Sequence, residues 1–151
     1  MYFAYGSNMS SARLHSRVAS AKIIGPAFLR DRRMLFNKLS KDGSGKANLV
    51  ESPGDLTWGV LYEIDIQDLD TLDKVEGGYK RIPVQVWKSD RKTVEAVTYV
   101  SKELTDDHLA YEWYKDVLIA GAREHNLPQD YIAYLERLPS EPGRTKSETA
   151  G

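Results

Sequence analysis

Residues 2–9 read YFAYGSNM, and this stretch decides what the N-terminal part of the chain can form. The aromatic and apolar residues up to Tyr5 predict a short buried strand. Gly6 breaks this strand, and residues 10–17 have helical character. A strand that turns through glycine into a helix directs several backbone N–H groups towards one point, with the positive end of the helix dipole behind them. The sequence therefore predicts a turn that can hold a carboxylate or a developing oxyanion.

The composition of the 151 residues is typical of one ordinary globular domain, with 41% hydrophobic and 28% charged residues. A net charge of −1 gives no electrostatic footprint for nucleic acid or for an anionic membrane. No apolar run approaches the length of a membrane span, and Met1 leads directly into the predicted strand, which leaves no room for a signal peptide. We therefore expect a cytoplasmic protein. The absence of cysteine excludes disulfides, a thiol nucleophile and thiolate metal sites.

Strand patterns occupy the first two-thirds of the chain and helical patterns the last third. Strands are predicted over residues 21–36, 46–51, 56–64, 79–88 and 94–100, and the closing helices over residues 109–124 and 128–138. An interruption is expected at Gly25-Pro26, and Pro53-Gly54 fits the centre of a type II turn. These patterns indicate an α+β fold, a small, mixed, largely antiparallel β-barrel with surrounding helices. Residues 1–139 are expected to form the single domain, and residues 140–151 a frayed tail.

Glu76 is the carboxyl group whose position is most unusual. Ile66, Leu69 and Leu72 form a helical stripe, and Glu76 falls near the middle of that stripe, at the end where Gly77-Gly78 should terminate the helix. A buried carboxylate at the negative end of a helix dipole should have a raised pKa, which suits proton exchange near neutral pH. A solvated glutamate at a frayed helix end explains the same pattern equally well.

Tyr114 lies on the inward face of the first closing helix, together with Ala110, Val117 and Gly121. From the residues alone, a core tyrosine with a satisfied hydroxyl is the preferred interpretation.

Other candidate sites fail on spacing. Ser7 has no Gly-x-Ser-x-Gly context, the three histidines (His15, His108 and His125) have no metal-site spacing, and residues 43–46 lack the spacer of a phosphate-binding loop. Arg30, Arg32 and Arg33 are interpreted as an exposed strand face. We expect neither a metal nor another cofactor.

Four motifs in this order resemble those of the gamma-glutamylcyclotransferase family. They are YFAYGSNM at the N-terminus, residues 52–60, residues 72–77 and residues 114–131, so that the resemblance covers residues 2–138. It implies a barrel fold and a reaction without a cofactor, in which the α-amine of a small γ-glutamyl substrate attacks its own γ-carbonyl and releases 5-oxoproline. It also implies Glu76 as the general acid and base, Tyr114 as a contact to the glutamyl unit, and a glutamyl pocket shaped by Tyr2, Phe3, Ala4, Tyr5, Gly6 and Ser7. Asn8 is expected to brace the loop.

Two departures from the family pattern refine this expectation. Only Gly77-Gly78 connects Glu76 to Tyr79, which leaves the role of Tyr79 open. The Phe-Ala-Tyr-Gly-Ser-Asn loop differs from that of the glutathione-specific branch, so a γ-glutamyl amino acid or γ-glutamylamine is the expected substrate. A cyclotransferase for a γ-glutamylated natural-product intermediate and a non-catalytic binding module remain alternatives, and a homodimer remains open. A γ-glutamyl hydrolase would need a cysteine or an activated serine.

Overall fold

Two long strands form the largest part of a closed barrel in the computed structural model, which describes residues 1–143. The barrel strands are β1 (Tyr2–Ala4), β2 (Lys22–Leu39), β3 (Gly45–Glu63), β4 (Lys80–Lys88) and β5 (Thr93–Val100). Their order around the barrel is β1-β3-β2-β4-β5, and β5 closes it through a parallel pairing of Val97 with Tyr2. The other neighbouring strands pair antiparallel, so the predicted mixed, largely antiparallel barrel is confirmed.

Short helices and one small sheet surround this barrel. They are a 3₁₀ turn (Ser7–Met9), α1 (Ser11–Arg17), α2 (Ile66–Val75), α3 (Glu112–Glu124), α4 (Gln129–Arg137), and a parallel pair formed by β6 (Ala110–Tyr111) and β7 (Ser140–Glu141). α3 packs directly against the N-terminal loop at Gly121. A side chain would not fit there, since a Cβ atom on Gly121 would lie only 2.6 Å from backbone atoms of Met9 and Ser10. This close approach brings the side chains of α3 next to the loop.

The two predicted interruptions are irregularities within continuous strands. β2 runs through Gly25-Pro26 with a shift in register. In β3, residues 52–55 stand opposite the single residue Asp31, and both flanking segments stay paired with β2. Gly54 has the positive φ of 87° that a type II turn needs, and its amide donates to the Asp31 carboxylate at 2.9 Å. The Pro-Gly segment is therefore a large bulge, and the chain does not reverse direction there.

The folded part of the chain continues past the predicted boundary at residue 139, because β7 includes Ser140 and Glu141. Residues 144–151 of the predicted tail lie outside the described residues. No helix within residues 1–143 is long and apolar enough to cross a membrane.

Candidate active site

The loop that follows β1 forms one wall of a small cavity. Met9 N donates to Gly6 O at 3.0 Å and Ser10 N donates to Ser7 O at 3.1 Å. The carbonyl groups of Gly6 and Ser7 therefore accept hydrogen bonds within the turn, whereas the amides of these two residues take no part in those bonds. Gly6 is tightly enclosed, since a Cβ atom there would lie 3.1 Å from the Cβ of Ala47. α1 begins only at Ser11, so the 3₁₀ turn separates Gly6 from the helix that was expected to follow it directly. These two amides thus belong to the first turn of a 3₁₀ helix.

Glu76 reaches the same cavity from the C-terminal end of α2. Its amide donates to Leu72 O at 2.9 Å, and its carbonyl accepts from Tyr79 N at 3.0 Å. Gly78, with a φ of 86°, permits the tight turn that follows. The side chain lines the cavity, as the helical pattern predicts, although Ile66 of the predicted apolar stripe is 85% exposed.

The environment of the Glu76 carboxyl favours its neutral form. Burial raises the pKa of Glu76, while the charge of Arg17 and the hydrogen bond from Asn8 partly oppose this effect. Asn8 Nδ2 donates to Glu76 Oε1 at 2.8 Å and lies 3.1 Å from the Tyr2 hydroxyl. Asn8 therefore connects the loop to the carboxyl group directly, a contact that sequence reasoning missed because 68 positions separate the two residues.

Tyrosine rings make up much of the cavity wall. Those among the lining residues are Tyr2, Tyr5, Tyr79, Tyr99 and Tyr114. The Tyr5 hydroxyl donates to the Tyr99 carbonyl, and the Tyr79 hydroxyl donates to the Ala47 carbonyl at 2.7 Å. These two phenols are committed to the protein backbone, and they fix the shape of the wall.

Tyr2 and Tyr114 have a different hydrogen-bond arrangement. The Tyr114 hydroxyl accepts from Ala47 N at 3.1 Å, and the Tyr2 hydroxyl accepts from the Asn8 side chain. Each oxygen acts as an acceptor in these bonds, so each can still donate its own proton to a ligand. Burial raises the pKa of both phenols, which keeps them neutral and able to donate at ordinary pH.

The structure places Phe3 and Ala4 away from the cavity that they were expected to shape. Both side chains are fully buried. The Phe3 ring packs over Gly59, where a Cβ atom would lie 2.8 Å from a ring carbon, and Ala4 pairs with Val60. These two residues therefore hold β1 in the barrel, and the cavity receives Tyr2, Tyr5, Gly6 and Ser7 from the predicted set.

Ser7 lacks the partner that a nucleophilic serine needs. Its hydroxyl accepts from Arg13 Nε at 3.0 Å, and within residues 1–143 no histidine is hydrogen-bonded to it. His125 contacts Ser11 Oγ at 3.0 Å and Glu124 at 3.3 Å through the same ring nitrogen, so it cannot relay a proton between them. In the described part of the chain, no group of three His, Cys, Asp or Glu side chains could hold a metal ion.

Comparisons with known proteins agree on one family. The sequence model of the AIG2-like family matches residues 57–135. The bovine gamma-glutamylcyclotransferase is 35% identical over 91% of this chain and 78% of its own length, and the mouse protein is 31% identical over 98% and 82%. A solved structure titled gamma-glutamyl cyclotransferase superposes with a TM-score of 0.90 at 30% identity, covering 97% of this chain and 93% of the other. The chain is therefore an enzyme that belongs to the gamma-glutamylcyclotransferase (AIG2-like) family.

Proposed function

We propose that this enzyme cleaves γ-glutamyl amides by cyclisation of the substrate. The α-amine of the glutamyl unit attacks its own γ-carbonyl carbon, the bond from that carbon to the leaving nitrogen breaks, and 5-oxoproline and a free amine are released. The observation that carries this proposal is the placement of the Glu76 carboxyl and the Gly6–Ser7 turn in the walls of one cavity. A proton acceptor and oxyanion donors are the two functions that this cyclisation requires.

Glu76 acts as the general base and then as the general acid. The α-ammonium group must lose a proton before its nitrogen can attack, and the departing nitrogen must gain one. A carboxyl group can make both transfers efficiently when its pKa lies closer to neutrality than usual, and burial raises the pKa of Glu76 in this direction. Asn8 is a positioning residue, because its side-chain amide holds the carboxyl group at 2.8 Å.

The backbone amides of Gly6 and Ser7 stabilise the oxyanion that forms on the γ-carbonyl. A well-placed donor in comparable sites contributes about 3 to 4 kcal/mol to the stability of the transition state. Tyr2 and Tyr114, whose phenolic protons are available, hold the glutamyl unit in the folded conformation that brings nitrogen and carbon together. Tyr79 completes the wall beside Ala47.

The proposed substrates are γ-glutamyl amino acids or γ-glutamylamines, since the N-terminal loop differs from that of the glutathione-specific branch. The first experiment measures 5-oxoproline release from a panel of such compounds. In ¹⁸O-labelled water the 5-oxoproline should contain no solvent oxygen, because water takes no part in bond breaking. Labelled glutamate as the primary product would mean hydrolysis and would refute the cyclisation.

A blocked substrate tests the identity of the nucleophile. Acetylation of the α-amine delocalises the nitrogen lone pair, so cleavage of a good substrate should be abolished. Retained cleavage of the acetylated compound would exclude attack by the α-amine. Failure of the whole panel to yield 5-oxoproline would favour a specialised γ-glutamylated intermediate or a non-catalytic binding module.

A further inference from the structure

A wider groove adjoins the cavity and carries a strong excess of positive charge. It shares Ser7, Glu76, Tyr79 and Tyr114 with the cavity wall. Its other charged lining residues are six cations and one carboxylate, namely Arg13, Arg17, Lys38, Lys41, Lys46, Lys74 and Glu103. Since the whole chain has a net charge of −1, this concentration of positive charge is local. If the inner cavity takes the glutamyl unit, the leaving amine must lie in this cationic groove.

Some of these cations have structural roles in the groove wall. Lys38 lies 3.5 Å from Glu103 and donates to the Leu39 carbonyl at 2.8 Å. Arg13 donates to the Ser7 hydroxyl. These contacts orient two of the cations along the wall and explain their presence without a ligand.

Arg17, Lys41 and Lys74 are different, because none of them forms a salt bridge with another of the described residues. They come from the last turn of α1, from the turn between β2 and β3, and from the last turn of α2. A cation near a helix C-terminus stabilises the helix dipole, which accounts for Arg17 and Lys74 in isolation. It does not account for Lys41, nor for the convergence of all three side chains on one groove.

We propose that the preferred leaving amine is an acidic amino acid, whose side-chain carboxylate supplements its α-carboxylate. This inference rests on the proposed cyclotransferase function and specifies its substrate class. Every leaving amino acid has one α-carboxylate. Because the charge of Arg17 already acts on Glu76, this α-carboxylate would leave one of Lys41 and Lys74 without a counter-charge. A second carboxylate on the leaving group would use the remaining positive charge, and the field of the groove would also speed its encounter with the enzyme.

The test compares γ-glutamyl-glutamate with γ-glutamyl-glutamine, which have nearly the same size and differ by one negative charge. An exposed ion pair changes an equilibrium constant by up to about fivefold. We therefore expect kcat/KM for γ-glutamyl-glutamate to be about two- to fivefold higher than for γ-glutamyl-glutamine at low ionic strength, with γ-glutamyl-lysine the poorest of the three. The preference should shrink towards one as salt approaches 1 M, where the screening length is only about 3 Å.

A double variant, Lys41→Gln with Lys74→Gln, locates the effect. In this variant, kcat/KM for γ-glutamyl-glutamate divided by kcat/KM for γ-glutamyl-glutamine should be close to one. A general loss of activity lowers both values equally and does not change their ratio. The matched control is Lys22→Gln with Lys92→Gln, which removes the same charge from exposed positions that do not line the groove and should keep the ratio. Melting temperatures establish that both variants fold.

The outcomes separate this inference from the function on which it rests. If both dipeptides release 5-oxoproline at equal rates, the acidic preference is wrong and the cyclotransferase function stands. If the control variant loses the preference as much as the groove variant, the effect belongs to net charge and the groove has no specific role. If neither dipeptide releases 5-oxoproline while γ-glutamyl-alanine does, the acidic class is also excluded. Absence of product from all of them overturns both proposals.

Discussion

Glu76→Gln separates the proposed catalytic role of Glu76 from a structural one. The substituted amide is nearly isosteric, and its oxygen can still accept from Asn8 Nδ2, which lies 2.8 Å from Oε1 in the wild type. It cannot accept a proton from the α-ammonium group. General acid–base steps contribute a factor of about 10² to 10⁴, which corresponds to about 2.7 to 5.5 kcal/mol in the activation free energy. We therefore expect kcat for 5-oxoproline release to fall by about that factor.

The same variant should keep its stability at neutral pH. Because burial raises the pKa of Glu76, the contribution of this group to stability is present below its ordinary pKa and is lost as pH rises through the raised value. Above that range, removing the carboxyl group therefore does not lower the melting temperature, and at acid pH, where the wild-type carboxyl group is neutral, the two proteins should melt alike. Glu63→Gln, at an exposed position of β3, is the matched control and should keep full activity.

Kinetics and thermal melts at several pH values test both statements. A fall in kcat smaller than tenfold would show that Glu76 is not the general acid and base. A large fall in melting temperature at neutral pH would instead identify the residue as part of the folded core.

Three other variants test the surroundings of Glu76. Asn8→Ala removes a hydrogen bond that favours the carboxylate, so the pKa of Glu76 should rise and the acid limb of the kcat/KM profile should move to higher pH. Arg17→Gln removes a favourable charge and should move that limb in the same direction for an uncharged leaving amine; an unchanged limb would contradict the proposed base. Tyr114→Phe leaves the Ala47 amide without its acceptor and should destabilise the fold by about 1 to 3 kcal/mol while raising KM, as measured by denaturation and kinetics.

Local signals predicted much of the fold. The strands predicted over residues 79–88 and 94–100 are found as β4 and β5, which pair antiparallel. The helix end predicted at Gly77-Gly78 agrees with the turn in which Gly78 has a positive φ. The path of the chain at residues 52–55 could not be predicted, because a Pro-Gly sequence is compatible both with a chain reversal and with a bulge in a continuous strand. The pairing of both flanking segments with β2 around Asp31 decides between these outcomes, and that pairing is not local in the sequence.

The candidate site was also predicted only in part. Helical periodicity predicted that Glu76 points inward, since periodicity reports direction within one element. The resemblance assigned Phe3 and Ala4 to the pocket as parts of a motif, although their side chains face the barrel core. The contact of Asn8 with Glu76 depends on how the 3₁₀ turn and α2 meet in space, which no spacing reveals. Cytoplasmic location stays a prediction of the sequence, and the homodimer stays an open alternative.

Two opposing influences act on Glu76, and their balance links the cavity to the groove. Burial at the negative end of α2 favours the neutral acid, while Arg17 and the Asn8 amide favour the carboxylate. In the proposed mechanism, burial alone would favour the acid form over the carboxylate that has to accept a proton from the ammonium group. With strong charge pairing, it would remain ionised and could not protonate the leaving nitrogen. Burial beside nearby cations therefore raises the pKa of Glu76 less than burial alone would. In the proposed mechanism, the same positive groove that would attract an acidic leaving group also favours the carboxylate that accepts the proton.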